Sequence, residues 1–415
     1  MSEALLFLRR TLSARRVWNA LKCYTSYGLS VLLRRPIVWG LPPVFMVEPT
    51  NACNLKCPLC PTGAGTLKRP TRFLDPALFD RALAELGRDA FMVLLWNQGE
   101  SFLHPDFFAM ARRAADLGLW TYASTNGHYL DRPEEVVRCG LGTLLVSVDG
   151  AAAATYEAYR RSGNFAQVIA GLQGLTAAKR RLGSATPVVH LQFIVMKHNQ
   201  HEIAEIDRLA RQCGVDKLTL KTVQIYDDED IETWLPEDED ARRYKLVEDG
   251  GGRHFAMKGG YPNRCQRLWN QPVLNAGGEL AVCCFDKDSD FAMGRLDRQS
   301  FRSLWTSRAY MAFRQAVFTR RSQFEMCRNC GEGIRMTLAR RDLRIDLRRP
   351  LAESLRRRGL PDAAEIERRI RAARESRPRE GSTRDERLDG RSGVAGMSLG
   401  QGPRPIEELE GRGEP

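Results

Sequence analysis

The chain has 415 residues, 43% of them hydrophobic, with 63 basic side chains against 51 acidic ones and a net charge of +12. That length suits one large domain with smaller additions, and no stretch reaches the roughly 18 consecutive apolar residues of a membrane span. The positive excess lies at the ends, with +6 in residues 1–40 and +4 in residues 331–415. A nucleic-acid enzyme would more often set its basic residues around the active site, so no nucleic-acid partner is expected.

Residues 1–40 pattern as a basic amphipathic helical segment. Val17, Leu21, Tyr24, Gly28 and Leu32 recur at helical spacing among Arg10, Arg15, Arg16 and Lys22. Such a segment either packs its apolar stripe on the domain that follows or lies on an anionic membrane surface. Ala4–Leu8 is apolar but short, precedes its arginines and lacks a small-residue cleavage site after it, which makes a poor signal peptide. A cytoplasmic location is expected, with membrane association under the second arrangement.

Residues 41–225 alternate short apolar runs with helical patterns. The strand candidates are Val44–Glu48, Phe91–Asn97, Trp120–Ser124, Thr143–Val148, Val188–Met196 and Lys217–Thr222. Several are continuous Val/Leu/Ile runs, as in strands covered on both faces. Between them lie helical patterns near Pro76–Leu86, Asp106–Leu117, Pro133–Cys139, Phe165–Leu182 and His201–Cys213, with Asp75 as a start signal and Gly118 and Gly214 as stops. The fold class is therefore α/β: a partial (β/α)6 TIM-like barrel, whose reactive groups belong at the carboxyl ends of its strands.

Residues 226–262 are acidic and read as a solvated linker. Residues 263–336 change to short strands and turns punctuated by cysteines, a small β-hairpin and helix domain with a tight turn at Gly277-Gly278. Residues 337–377 form an Arg-rich helical extension whose charges are largely balanced, and 378–415 have the composition of a disordered tail.

Eleven cysteines in a chain with no export signal point to metal rather than disulfides. Cys53, Cys57 and Cys60 follow the first strand in a C-x-x-x-C-x-x-C loop whose Asn51, Asn54, Pro58 and Pro61 favour turns. A [4Fe–4S] cluster normally takes four cysteines, so three leave one iron open. Three cysteines without a nearby histidine make an incomplete structural zinc site. Cys265, Cys283, Cys327 and Cys330 supply four thiolates further on, enough for one cluster or one zinc, and spacing alone leaves both open. Cys284 adjoins Cys283 and is an alternative ligand. The six histidines form no metal-ligand constellation, and His198 and His201 are expected at the surface.

The stretch VEPTNACNLKCPLC (Val47–Cys60) resembles the signature loop of the radical SAM superfamily. The resemblance implies that the open iron chelates S-adenosylmethionine, whose reductive cleavage gives a 5′-deoxyadenosyl radical that abstracts a substrate hydrogen atom. Gln98-Gly99-Glu100 looks like the family's Gly-Gly-Glu turn, with Gln98 in place of the first glycine. Ser124 and Asn126 after the third strand, Ser147 and Asp149 after the fourth, and Gln192 and Asn199 in and after the fifth resemble its cofactor contacts. NAGGELAVCCFD, Gly294, Leu304-Trp305 and the final Cys-x-x-Cys resemble a shortened SPASM, or twitch, domain, which implies an auxiliary [4Fe–4S] cluster on Cys265, Cys283, Cys327 and Cys330.

Five cysteines in that segment suit one auxiliary cluster, as in dehydrogenases acting on aminocyclitols. The resulting expectation is hydrogen abstraction from a small polar, glycan or lipid-linked substrate, with a donor such as flavodoxin or ferredoxin supplying electrons. If the reaction is a dehydrogenation, the auxiliary cluster would take up the electron left on the substrate. A peptide- or protein-modifying maturase and a non-catalytic iron–sulfur redox or regulatory protein are the alternatives. No residue stands out as the substrate acid or base, although Lys221, Gln192 and Tyr122 fall on or near strand ends.

Overall fold

Six parallel strands run β1 (Val44–Val47), β2 (Met92–Leu95), β3 (Trp120–Thr125), β4 (Thr143–Ser147), β5 (Val188–Val195) and β6 (Lys217–Thr222), each paired with the next. The computed structural model describes residues 2–250, 252–258, 262–328, 330, 342–347 and 350–356, with six more between 364 and 372. The sheet is mostly parallel with helices between its strands, a partial TIM-like barrel. Side chains on both strand faces are buried, which is why these runs are continuously apolar. Local chemistry sets the helix ends. Asp75 accepts the Ala77 N–H at 2.9 Å to start the helix Pro76–Leu86, and Gly118 takes φ = 73° just past the next one.

The sheet continues beyond the six strands at both edges. β9 (Val273–Leu274) pairs parallel with β1, and the antiparallel strands β10 (Glu279–Ala281) and β11 (Ala292–Arg295) follow it. The cysteine-rich segment is thereby hydrogen-bonded to the barrel's first strand. At the other edge, β12 (Asp342–Asp346) lies antiparallel to β6. The helical expectation for 337–377 is corrected at 342–346, where strand pairing with an open sheet edge overrides local helix propensity, while Leu351–Arg356 is helical. The expectation for the tail 378–415, and the end of the cysteine-rich segment at 331–336, lie outside the described residues.

The acidic stretch 226–262 is also corrected, because it folds. A helix over Asp230–Trp234 and the hairpin of β7 (Tyr244–Asp249) and β8 (Gly252–Met257) turn Ile231, Trp234, Leu235, Tyr244 and Met257 inward against Leu55, Cys57 and Leu59. Its acids suggest solvent when only composition is read, but the apolar residues between them share one inner face. His198 is half-buried with its ring 5.5 Å from Trp234, so of the expected surface pair only His201 is exposed.

The N-terminus is two helices, α1 (Glu3–Thr11) and α2 (Ala14–Leu33). α1 closes the amino end of the barrel. Leu6 and Phe7 pack with Met46, Trp120, Tyr122 and Leu145, and Glu3 accepts hydrogen bonds from Thr143 Oγ1 and Lys217 Nζ. Burial opposes ionisation of Glu3, but bonds from His190, Lys217 and Thr143 outweigh it and hold the carboxyl well below its ordinary range. α2 buries Arg16, Asn19, Cys23, Ser26 and Ser30, not its apolar stripe. Arg16 donates to the carbonyls of Thr11, Gly87, Leu117 and Gly118, and Asn19 to those of Leu41 and Asp89. The helix is attached to the barrel through its polar face.

Candidate metal and cofactor site

Each carboxyl strand end contributes to one region. The loop after β1 carries Cys53, Cys57 and Cys60, and a short helical turn from Pro61 follows it. Asn126, beyond β3, donates from Nδ2 to Asn54 Oδ1 at 2.8 Å and lies 4.0 Å from Cys53 Sγ. Arg160 Nη1 lies 3.9 Å from Cys57 Sγ, and Gln98 Oε1 lies 4.0 Å from Cys60 Sγ. Residues just past β2 and β3 and at the end of the helix Ala153–Tyr159 thus approach the three thiols, one each.

Gly99 explains how β2 approaches the loop so closely. It has φ = 74°, and a Cβ there would stand 2.5 Å from the Thr50 carbonyl oxygen and 2.6 Å from that of Ala52. Only glycine suits both the dihedral and the space. Glu100 is buried and accepts from the Asn126 N–H at 2.6 Å, Thr125 Oγ1 at 2.8 Å and the Phe102 N–H at 3.1 Å. Burial raises its carboxyl above the ordinary value despite those bonds. Its side chain therefore acts as a brace between β2 and β3.

Ser124 stands half-buried in β3. Ser147 Oγ accepts from Gln192 Nε2 at 3.2 Å, and Gln192 Oε1 is buried with no partner among the described residues. Asp149 accepts from Arg160 at 2.5 and 2.7 Å and from the Ile194 N–H at 2.7 Å. Asn199 spends its amide on the carbonyls of Asp149 and Ile194 and on the Met196 N–H. Asp149 and Asn199 thus tie β4 to β5, while Gln192 retains an open acceptor.

Sequence reasoning missed several residues here. Arg160, which carries no motif, is found only through its contacts. Glu48, fully buried at the end of β1, pairs bidentately with Arg69 at 2.8 and 2.9 Å. It also accepts from Asn97, Gln98 N–H and Ala276 N–H, so one carboxylate joins β1, β2 and the cysteine-rich hairpin. An acid placed directly after an apolar strand was the available signal. His128, set aside as a metal ligand, bonds to Asn126 Oδ1 through Nδ1 and accepts the Asn164 N–H at Nε2.

The later cysteines gather around Cys283, whose buried thiol feels Cys284, Cys330, Cys327 and Cys265. Cys284 faces away and lines the barrel cavity. Burial pushes the Cys53 and Cys327 thiols up to about 11. Buried neutral thiols this close together suit a cationic centre, whose charge would deprotonate them. Among the described residues no three His, Cys, Asp or Glu side chains are arranged around a single metal ion. A [4Fe–4S] cube instead takes one thiolate per iron, which asks for cysteines around a volume.

Within the barrel opens a cavity of about 1,470 Å³, lined by Trp96, Tyr122, Gln192, Lys221, Cys284 and Lys287 among others. Asn97, Gln192 and Gln224, which line this cavity, each hold a buried polar atom without a partner among the described residues. Such atoms are costly to bury unless a ligand or water completes them.

A parallel partial barrel whose first strand leads into a three-thiol loop, with four more thiols beside that strand, defines a class of iron–sulfur protein. The profile described as "Radical SAM superfamily" matches residues 47–210, and the SPASM profile, "Iron-sulfur cluster-binding domain", matches residues 265–331. The chain belongs to the radical SAM superfamily and carries a C-terminal SPASM-type domain. These domains imply a [4Fe–4S] cluster with S-adenosylmethionine and auxiliary iron–sulfur binding.

It is 31% identical over 188 residues to the pre-heme d1 synthase of Dinoroseobacter shibae, covering 44% of each chain. It is 29% identical over 192 residues to the PqqA peptide cyclase of Gluconobacter oxydans, covering 45% of this chain and 51% of that protein. The matched region thus spans about half the length of these relatives. Streptococcus suis SuiB bound to S-adenosylmethionine shares the fold at 13% identity, with a TM-score of 0.51 over 80% of this chain and 82% of that one. No helix among the described residues is long and apolar enough to cross a membrane.

Proposed function

We propose that this protein binds a [4Fe–4S] cluster through Cys53, Cys57 and Cys60, cleaves S-adenosylmethionine reductively there, and abstracts hydrogen from a small polar or lipid-linked substrate. When bound, cluster and cofactor supply the 5′-deoxyadenosyl radical. The chain's own residues position and enclose them. Gly99 brings the β2 turn against the loop, Glu100 and Asn126 hold the β3 end, and Ser147 and Gln192 present polar atoms from β4 and β5. Cys265, Cys283, Cys327 and Cys330 would hold the auxiliary cluster, and Cys284 is not a ligand in this reading.

The observation that carries the proposal is the barrel cavity lined by Gln192, Cys284 and Lys287, with the unpartnered polar atoms of the residues around it. Lys221 and Lys287 beside Trp96 and Tyr122 suit a substrate with an anionic group and a flat or apolar body. In a dehydrogenation, the auxiliary cluster would accept the second electron. A donor such as flavodoxin or ferredoxin would reduce the first cluster.

Anaerobic reconstitution with dithionite and S-adenosylmethionine tests the reading. Iron is expected near eight per chain and should fall to about four in the Cys53→Ala/Cys57→Ala/Cys60→Ala variant, on four irons per cluster, with 5′-deoxyadenosine formation lost. Absence of 5′-deoxyadenosine from the fully loaded protein, with candidate substrates present, overturns it. The PqqA peptide cyclase among the relatives favours peptide modification as a second reading. A short precursor-peptide gene beside this one would support it.

A further inference from the structure

The described chain exposes thirteen large hydrophobic side chains, and ten of them lie in residues 5–39. On α2, Val17, Trp18, Leu21, Tyr24 and Leu32 point outward, while Asn19, Cys23, Ser26 and Ser30 point into the protein. Leu5 and Leu8 on α1 and Leu12 at its end are exposed as well. A helix gains most by burying its apolar stripe, and this one buries its polar stripe, with Arg16 and Asn19 donating to six backbone carbonyls. An apolar face left outward on a firmly attached helix is a surface built to be covered.

The charge around that face indicates what covers it. Arg9, Arg15, Arg34 and Arg35 are exposed in the same segment, and its single acid, Glu3, is turned into the barrel. Beside α2, Trp18 and Trp39 flank a notch of about 280 Å³ that Lys22 and Arg302 also line. Arg15 is held there by Asp89 at 2.7 and 2.9 Å. Exposed tryptophans next to cations are the side chains that settle at the headgroup level of a bilayer. The helix is also too short of apolar residues to cross one.

We propose that the outer face of α1 and α2 docks this protein peripherally on an anionic phospholipid surface, the apolar stripe entering the interface and the cations meeting lipid phosphates. α1 also forms the floor of the barrel cavity through Ser2, Glu3, Leu6 and Phe7. Docking would therefore hold the amino end of the substrate cavity close to the membrane. The docking proposal stands on the surface alone and does not depend on the reaction proposed above.

Co-sedimentation of the full chain with vesicles of phosphatidylcholine, with and without 30 mol% phosphatidylglycerol (about a third anionic lipid, to give the surface potential basic residues respond to), tests it. Binding is expected to the anionic vesicles, with release at high salt. The Trp18→Ser/Leu21→Ser/Leu32→Ser variant should bind at least about tenfold more weakly. Lys22→Glu/Arg35→Glu should lose the preference for anionic lipid while circular dichroism and iron content stay unchanged. Failure to bind anionic vesicles overturns the proposal. So does a dimer in sedimentation velocity that the same serine variant dissolves, which would assign the face to a second copy of this chain.

Discussion

Replacing Arg160 by methionine removes the cation that faces both Asp149 and Cys57. The Asp149 carboxylate is fully buried and the Arg160 side chain is 13% exposed, with contacts of 2.5 and 2.7 Å between them. Methionine fills much of the space but leaves Asp149 only the Ile194 N–H as a partner. Breaking a buried pair on one side costs about 3–5 kcal/mol. With unfolding entropy of about 2.1 cal/mol/K per residue, that corresponds to a drop in Tm of about 3–6 °C for a chain of this size. Differential scanning calorimetry of the anaerobic protein reads it. The double variant Arg160→Met/Asp149→Leu removes both charges and should recover most of the loss, because an apolar pair carries no stranded charge. Iron at the first site should fall in Arg160→Met, since this arginine sits against Cys57. A single variant within about 1 kcal/mol of the parent, or a double variant that simply adds two losses, would refute the assignment of Asp149 and Arg160 as a coupled brace.

Gly99→Ala should cost at least about 2 kcal/mol, from the left-handed φ and the contact with the Thr50 and Ala52 carbonyls, and should weaken S-adenosylmethionine binding measured by calorimetry. His128 is held neutral: Nε2 accepts the Asn164 N–H, and burial lowers its pKa below 6.5. The folded state then binds fewer protons than the unfolded one, so stability falls as pH drops through 6.5 and below. Tm measured from pH 7.5 to 5.5 should show this slope, and His128→Gln should flatten it. Glu3→Ala should cost about 1–2 kcal/mol at neutral pH. Because the folded carboxyl is held below its ordinary 4.5, the difference from the parent should shrink as pH falls below that value, read in the same scans.

The spacing of Cys53, Cys57 and Cys60 and the six apolar runs were legible because both are local. A ligand loop must keep short intervals, and a strand covered on both faces must be apolar along its length. β1 to β6 accordingly fall within two residues of their expected bounds at each end, and the two cysteine groups assemble as separate sets. Where the signal depended on what lies opposite in space, the sequence misled. The acids of 226–262 concealed a folded cover over the cysteine loop, and arginines around 342–346 concealed a strand that only the free edge of β6 calls for.

Two choices belong to the tertiary structure alone. Cys283 and Cys284 are neighbours with equal chemistry in the turn after β10. Which of them meets Cys265, Cys327 and Cys330 depends on how the hairpin lies against β1. The stripe of α2 is the second. Its helical period is visible in the sequence, but the face turned inward depends on the backbone carbonyls waiting at Gly87, Leu117 and Gly118. Hydrogen bonds to those carbonyls bury Arg16 and its polar neighbours and leave Trp18 and Leu21 outside. Periodicity determined that α2 has two faces, and partners distant in the chain decided which one the protein keeps.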